Sequence, residues 1–379
     1  MTIAVALALL LGGAAWLAAG PDWRQPAAWT LGAGFGWVML HATFSFAGAF
    51  RRFLAERRGA EMRAQLLMIA AATLLILPAT QAGTVLGQEV RGLVFAPGLA
   101  VVVGAFLFGI GMQLGGGCAS GALFGAGGGS PRLLLTLLFF VAGATLAAWQ
   151  SDWWTFWPAP PALGLADLLG PFPAIGATLA VLAAAAWITT RLERARHGSA
   201  APLRWRGGAW LRGPWPLAWA GLALAGLNVL TLLLIGRPWA ITAAFPLWGS
   251  KAVASLGWDE PAFWPFWEDP TRIEALLRPL AADRTTAMDA GMIAGAFLAA
   301  ALAGRFARAL RLSPGEAAAS VLGGLLLGIG AMLAAGCNIS AYVSGIASGS
   351  LHGWLWILPA LLGNRIGLAL RPGFGIRDA

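Results

Sequence analysis

Charge is scarce in this chain. Asp, Glu, Lys and Arg make up 11% of its 379 residues, against about 25% in a soluble domain. Hydrophobic residues make up 59%, and mean hydropathy is +0.74. Lysine occurs once, at Lys251, and tyrosine once, at Tyr342. The three histidines, His41, His197 and His352, are scattered and form no metal-ligand spacing. There are two cysteines, Cys118 and Cys337, and no CxxC pair. That excludes a disulfide scaffold and argues against a thiol redox enzyme. No P-loop, no GxGxxG in a βαβ context and no serine–histidine triad pattern is present. Neither a catalytic residue nor a cofactor is therefore expected. The net charge of +9 does not point to nucleic acid. The basic residues are nearly all arginines in short loops, as a lipid bilayer with cytoplasmic positive charge would select.

What the chain has is long apolar runs and glycine. Apolar segments fall near 1–20, 28–50, 64–83, 97–116, 131–150, 165–190, 214–236, 286–307, 314–335 and 351–370. Runs of about 20 residues cross a hydrocarbon core of roughly 30 Å. The expected class is an all-α polytopic membrane protein forming one transmembrane unit over 1–379. Residues 1–20 lack a basic start and are nearly membrane-length, so a retained first helix is expected rather than a signal peptide.

Two stretches repeat one another. In GIGMQLGGGCASGALFGAG, Gly109, Gly111, Gly117 and Cys118 match Gly328, Gly330, Gly336 and Cys337 of GIGAMLAAGCNISAYVSGIASG at a constant offset. After a one-residue slip, Gly125, Gly129, Ser130 and Gly143 match Gly345, Gly349, Ser350 and Gly363. Repeat 1 is placed at 28–150 and repeat 2 at 214–370. Residues 151–213 form a connecting segment with a basic cytoplasmic loop. The loop 51–63 carries five arginines, whereas its counterpart after Lys251 is rich in Trp and acid. Equivalent loops on opposite sides imply an inverted repeat with its pseudo-two-fold axis in the membrane plane, and a transport site at the repeat interface. By this reading Arg57 and Arg194 face the cytoplasm while Trp154 and Trp264 face outward.

Helix starts are legible. Ser313-Pro314-Gly315-Glu316 is a capping box, and Ser130-Pro131 starts a helix similarly, with Ser350 in the matching place. Each cysteine therefore lies in a break between one helix and the next. Glycines cost a helix about 1 kcal/mol each, and broken backbone at membrane depth is tolerated only where protein or water meets it. A thiol there is a weak donor and soft neighbour, suited to a ligand exposing sulfur or selenium. A lone buried cysteine is otherwise simply a small residue that packs well. The glycines supply either amide donors for an anion or close helix contacts. Lys251 either attracts the anion or snorkels to the interface. The candidate substrate-binding or permeation residues are Cys118, Cys337, Gly117, Gly336, Gly121, Asn338, Ser340, Ser45 and Lys251, and no metal ligand is expected.

On these motifs, together with PWAITAAFPLWGSKAV and FSFAGAFRRFL, the chain resembles the YeeE/YedE family of bacterial inner-membrane sulfur-compound transporters, which includes thiosulfate uptake proteins. The resemblance covers nearly the whole chain. It implies an hourglass-like helical protein with short re-entrant helices, whose cysteines pass thiosulfate through a narrow middle by S–H···S contacts. Cys118 and Cys337 would be two of those thiols. Where the family has a further cysteine in an FCF-type motif, this chain has Ser45 between Phe44 and Phe46. The resemblance also implies a small cytoplasmic sulfur-carrier protein as partner, which the basic loops would dock. Other family members are associated with selenium or further sulfur species. The alternatives are a transporter of such a species, a membrane-embedded thiol sulfurtransferase or redox protein, and an accessory subunit recruiting a sulfur carrier.

Overall fold

The computed structural model describes residues 2–203, 209–306 and 312–376. Arg204 and Arg206 of the connecting loop lie outside the described residues. The first half contains α1 (Thr2–Ala18), α2 (Arg24–Ala42), α3 (Phe46–Arg51), α4 (Ala60–Ala82), α5 (Leu99–Gly115), α6 (Ala119–Gly127) and α7 (Pro131–Trp149). A short hairpin, β1 (Thr84–Val85) with β2 (Gln88–Glu89), follows α4. The connection contains α8 (Asp152–Thr155), α9 (Leu165–Leu169) and α10 (Pro171–His197). The second half contains α11 (Leu217–Ile235), α12 (Phe245–Ser255), α13 (Pro270–Leu277), α14 (Arg284–Ala303), α15 (Pro314–Leu333), a π-helix over Asn338–Gly345 and α16 (Leu351–Leu370). Among the described residues, eight helical segments are long and apolar enough to cross a membrane.

Helix α2 is not one of the eight. The apolar run 28–50 is broken in the structure: Thr43 adopts a left-handed backbone (φ 50°) and Ser45 starts the separate helix α3. The cause is local. The Ser45 hydroxyl accepts the Gly48 amide at 3.0 Å, capping α3 where a continuous helix would bury that hydroxyl. The expected starts at Ser130 and Ser313 are present, each hydroxyl accepting an amide of the following turn, and Glu316 closes the Ser313 box. Ser350 stands at the start of α16 but makes no capping bond; it receives the Phe95 amide at 3.3 Å instead.

Lipid tails are as apolar as leucine, so close packing rather than water exclusion holds such helices together. Glycine makes that packing possible here. A Cβ on Gly109 of α5 would collide with the Ala360 carbonyl of α16, and one on Gly328 of α15 with the Phe140 carbonyl of α7. One on Gly143 would meet Leu325, and one on Gly363 would meet Phe106. Phe140 and Ala360 are matched by the offset that pairs Gly143 with Gly363. Phe106 and Leu325 are matched by the offset that pairs Gly109 with Gly328. Between α5 and α15 the same reciprocity holds: a Cβ at Gly111 would lie 2.8 Å from the Gly323 oxygen, and one at Gly330 2.6 Å from the Gly104 oxygen. Each contact thus recurs when the two halves are exchanged. The helix pairs follow suit: α5 packs on α16 as α15 packs on α7, and α4 packs on α11 as α14 packs on α2.

The two ends of the bundle differ. At one, the loop after α3 meets the end of α10. His197 Nε2 lies 2.7 Å from the Glu56 carbonyl, and the buried Glu193 carboxylate accepts from Arg63 at 2.8 Å and from the Gly59 amide at 3.2 Å. At the other end, reached along the 23 residues of α4, about 34 Å at 1.5 Å per residue, lie the Trp-rich and acidic loops. There Arg284 pairs with Asp22 at 2.8 Å and holds its carboxyl below the usual range, and Trp264 donates to Asp259 at 3.0 Å. The loops after α3 and after α12 therefore lie at opposite ends.

Candidate functional site

Each cysteine sits two residues after a left-handed residue. Gly116 (φ +82°) caps the end of α5, and Ala335 (φ +51°), two residues beyond the end of α15, is in the matching place. The carbonyls that α5 leaves unpaired are taken by neighbours. Arg132 donates to Leu114 O at 2.8 Å and the Thr136 hydroxyl donates to Gly115 O at 2.9 Å. The chain then turns extended at Cys118 (φ −92°, ψ −169°) and at Cys337 (φ −105°, ψ −168°). Both residues are the N-cap of a short helix, and both carbonyls accept the amide four residues on at 2.8 Å. Gly336 (φ +146°) permits this turn, since any Cβ there would lie 2.5 Å from the Ser340 hydroxyl.

The thiols are free and buried, at 1% and 0% exposure. Cys118 Sγ lies 3.3 Å from the Ser120 hydroxyl. Cys337 Sγ accepts the Ile339 amide at 3.4 Å and the Ser340 hydroxyl at 3.6 Å, while Ser340 also receives the Cys337 amide at 3.0 Å. Next to it, Asn338 is wholly buried and neither end of its carboxamide has a partner. Gly121 borders Cys118, its absent Cβ falling 3.7 Å from the sulfur, and Gly117 packs against Leu133 of α7. Gly125, at the far end of α6, packs against the same Leu133, so both ends of this short helix return to one turn of α7.

A single turn, Ile241–Ala243, touches both cysteine helices. Thr242 Oγ1 lies 3.4 Å from Ser340 Oγ. The turn is held from α11: Asn228 Oδ1 accepts the Trp239 amide at 2.8 Å, and Asn228 Nδ2 donates to Ser344 at 3.1 Å. Ser344 in turn donates to the Trp239 carbonyl at 2.9 Å, and the Trp239 ring stacks on Phe35 at 3.6 Å.

A 790 Å³ cavity opens from the Trp-rich end and reaches Thr242, Gly336 and Ser340. Its wall includes Trp154, Trp157, Trp267, Arg237 and Arg272. Arg237 donates to Thr285 at 3.0 Å. Burial pulls its guanidinium below its ordinary value, and Asp283 opposes that shift; a guanidinium stays charged all the same. The cavity wall thus carries two arginines and two aspartates, Asp269 and Asp283, and its deep end carries the Thr242 and Ser340 hydroxyls, next to Cys337. Sequence reading had missed Arg237, Thr242 and Asn228. The available signals were a basic residue in a Trp-rich and acidic half and a lone asparagine inside an apolar helix.

Two predicted residues stand apart. Lys251 is half-buried on α12 and donates to the Leu276 carbonyl at 2.6 Å, beside a separate 460 Å³ cavity with Glu260 and Leu277. Ser45 is half-buried and engaged in the α3 cap. Among the described residues no group of three or more His, Cys, Asp or Glu side chains could hold a metal.

A family model described as sulphur transport matches residues 41–366. The thiosulfate transporter TsuA of Spirochaeta thermophila is 28% identical over 341 residues, covering 87% of this chain and 94% of that protein. The probable transporter YedE of Salmonella typhimurium is 30% identical over 165 residues, and that of Escherichia coli 29% identical over 166. Each of these two matches covers 42% of this chain and 38% of the YedE protein.

Proposed function

The chain belongs to the sulphur transport family, and on that footing we propose that it is a permease for a small sulfur-containing anion, thiosulfate first, in a bacterial inner membrane. The observation that carries this reading is the pair of free, buried thiols. They stand at the N-cap of two short helices with the same backbone conformation, one in each half. An anion entering hydrocarbon needs donors in place of water. The first-turn amides of α6 and of the π-helix point at the residue that precedes them. A terminal sulfur is met by a thiol better than a hard oxygen would be. Arg237 and Arg272 offer the anion donors along the cavity, and Asp269 and Asp283 on the same wall limit the net positive field.

The halves are read as inverted repeats, with the basic-loop end facing the cytoplasm and the Trp-rich cavity facing outward. The reciprocal glycine contacts and the opposite placement of the loops after α3 and α12 support this. The exposed arginines Arg57, Arg58, Arg191, Arg194 and Arg196 would then offer a docking surface to a sulfur-carrier protein. The test is labelled thiosulfate uptake into proteoliposomes by the wild type, Cys118→Ala and Cys337→Ala. Uptake by the wild type and its loss in both variants is the expected result. Undiminished uptake in either variant would reduce that thiol to packing.

A further inference from the structure

Asp289 lies in the second turn of α14. It is 0% exposed, and neither carboxylate oxygen has a hydrogen-bond partner. The other acids near the helix ends are held: Glu193 by Arg63, Glu61 by Arg52, and Glu316 by the Ser313 cap. Helical spacing puts residues three, four and seven apart on one face. On the face of Asp289, Thr285 and Thr286 receive Arg237 and the Trp248 indole at 3.0 and 2.9 Å. Further along the same face, Ile293 and Ala296 meet Gly127 of α6, the helix that Cys118 begins. The opposite face, with Gly291 and Gly295, is filled by the backbone of α2. Along α14, Asp289 thus lies between Asp283, which lines the cavity, and Ile293, which meets the Cys118 helix, and α14 also touches the Ile241–Ala243 turn.

Among the described residues no cation is placed to neutralise it. From α2 the charged or titratable groups are Arg24, which donates to Gln88, and His41, at the other end of that helix. Helix α6 offers only Cys118, and α1 and the Ile241–Ala243 turn offer none. Asp283 caps α14 and adds negative charge, Arg284 is paired with Asp22, Arg237 is held by Thr285, and Lys251 of α12 is turned to Leu276. An unpaired carboxylate enclosed at membrane depth is the costly form, so the resting group is the carboxylic acid. A site of this kind, beside an anion path, is where a transporter carries a proton.

We infer that Asp289 is the proton-carrying group of a proton-coupled anion transport cycle. The acid takes its proton from water in the outer cavity. As the anion passes the Cys118 helix, the acid releases that proton to water on the basic-loop side and is reprotonated from outside for the next turn. One carboxyl moves one proton per anion. The inference rests on the permease reading above, and the experiment separates the two.

Proteoliposomes containing the full chain and an internal pH dye are given labelled thiosulfate, with the outside one pH unit more acidic and the membrane potential clamped at zero. For one proton per anion, that gradient supports about tenfold accumulation, with acidification of the interior. Asp289→Asn, a permanent neutral mimic, should exchange labelled for unlabelled thiosulfate but accumulate none. Asp289→Glu, which keeps a carboxyl, should accumulate with a shifted pH profile. Equilibration without accumulation or proton entry in the wild type overturns the coupling and leaves the permease standing. Tenfold accumulation by Asp289→Asn overturns the assignment to this residue. A wild type that moves no thiosulfate in any condition overturns the permease reading and the coupling with it. If Asp289→Asn does not fold, the wild-type proton signal and the Asp289→Glu profile decide.

Discussion

The turn at Cys118 and the turn at Cys337 share a backbone and differ in nearly everything attached to it. Both stand two residues after a left-handed residue, both are extended, and both cap a short helix. Around Cys118 the first turn reads Ala119-Ser120-Gly121, and the side chain at the start of α7 is Arg132, spent on the α5 carbonyls. Around Cys337 the first turn reads Asn338-Ile339-Ser340, and the residue matching Arg132 is His352, 2.6 Å from Ser350. The Cys337 helix is a π-helix, and the Cys118 helix is α. The two halves therefore share the turn that places a thiol and differ in its polar surroundings. The Trp-lined cavity reaches Gly336 and Ser340, while α6 packs toward Asp289's helix.

The comparison breaks most visibly at the glycines. Gly109→Leu and Gly328→Leu should each abolish folded protein, because the added side chain meets backbone that cannot swing away. Overpacking costs typically 1–3 kcal/mol, and about the upper end or more is expected against a carbonyl. Yield and thermal stability in detergent measure it. Equal losses sharpen the equivalence of the halves, and tolerance of one alone breaks it.

Next in size are the thiols. Cys118→Ser and Cys337→Ser should fold normally and lose most uptake, since a hydroxyl keeps the size and a hydrogen bond but not the soft sulfur. Initial uptake rates at matched protein level give the readout. Full activity in both serine variants would mean that donor geometry alone matters.

A smaller effect tests the divergence. Asn338→Ala should slow uptake several-fold, with little change in stability, because the carboxamide has no protein partner to lose. A net hydrogen bond of about 0.5–1.5 kcal/mol sets the ceiling near tenfold. The mirror change, Ala119→Asn, should not raise uptake. A gain there would show that the two turns are interchangeable after all.

The least effect belongs to Ser45. Ser45→Cys supplies the thiol that the family resemblance expects there but weakens the cap on α3, which is worth about 0.5–2 kcal/mol. Uptake should rise less than tenfold and thermal stability should fall slightly. Unchanged uptake at matched protein level would remove Ser45 from the path.

Much of this was open to a reader of the chain. Apolar run lengths gave the membrane class, Ser130-Pro131 and the Ser313 box marked helix starts, and the glycine–cysteine stretches marked the two breaks where short helices begin. The run 28–50 misled, because hydropathy does not register a serine hydroxyl that prefers to cap a new helix. Arg237, Thr242, Asn228 and Asp289 were not singled out. Each matters through partners more than 40 residues away, or through having none.

Composition and run length were enough to give the solvent of this protein, and bonds between near neighbours were enough to place a helix break at each cysteine. It took the folded chain to show that glycines such as Gly109 and Gly328 serve helix packing, that Lys251 turns away to a carbonyl, and that Asp289 is buried without a partner. Those depend on which distant backbone or side chain arrives beside a residue, and no local pattern encodes that.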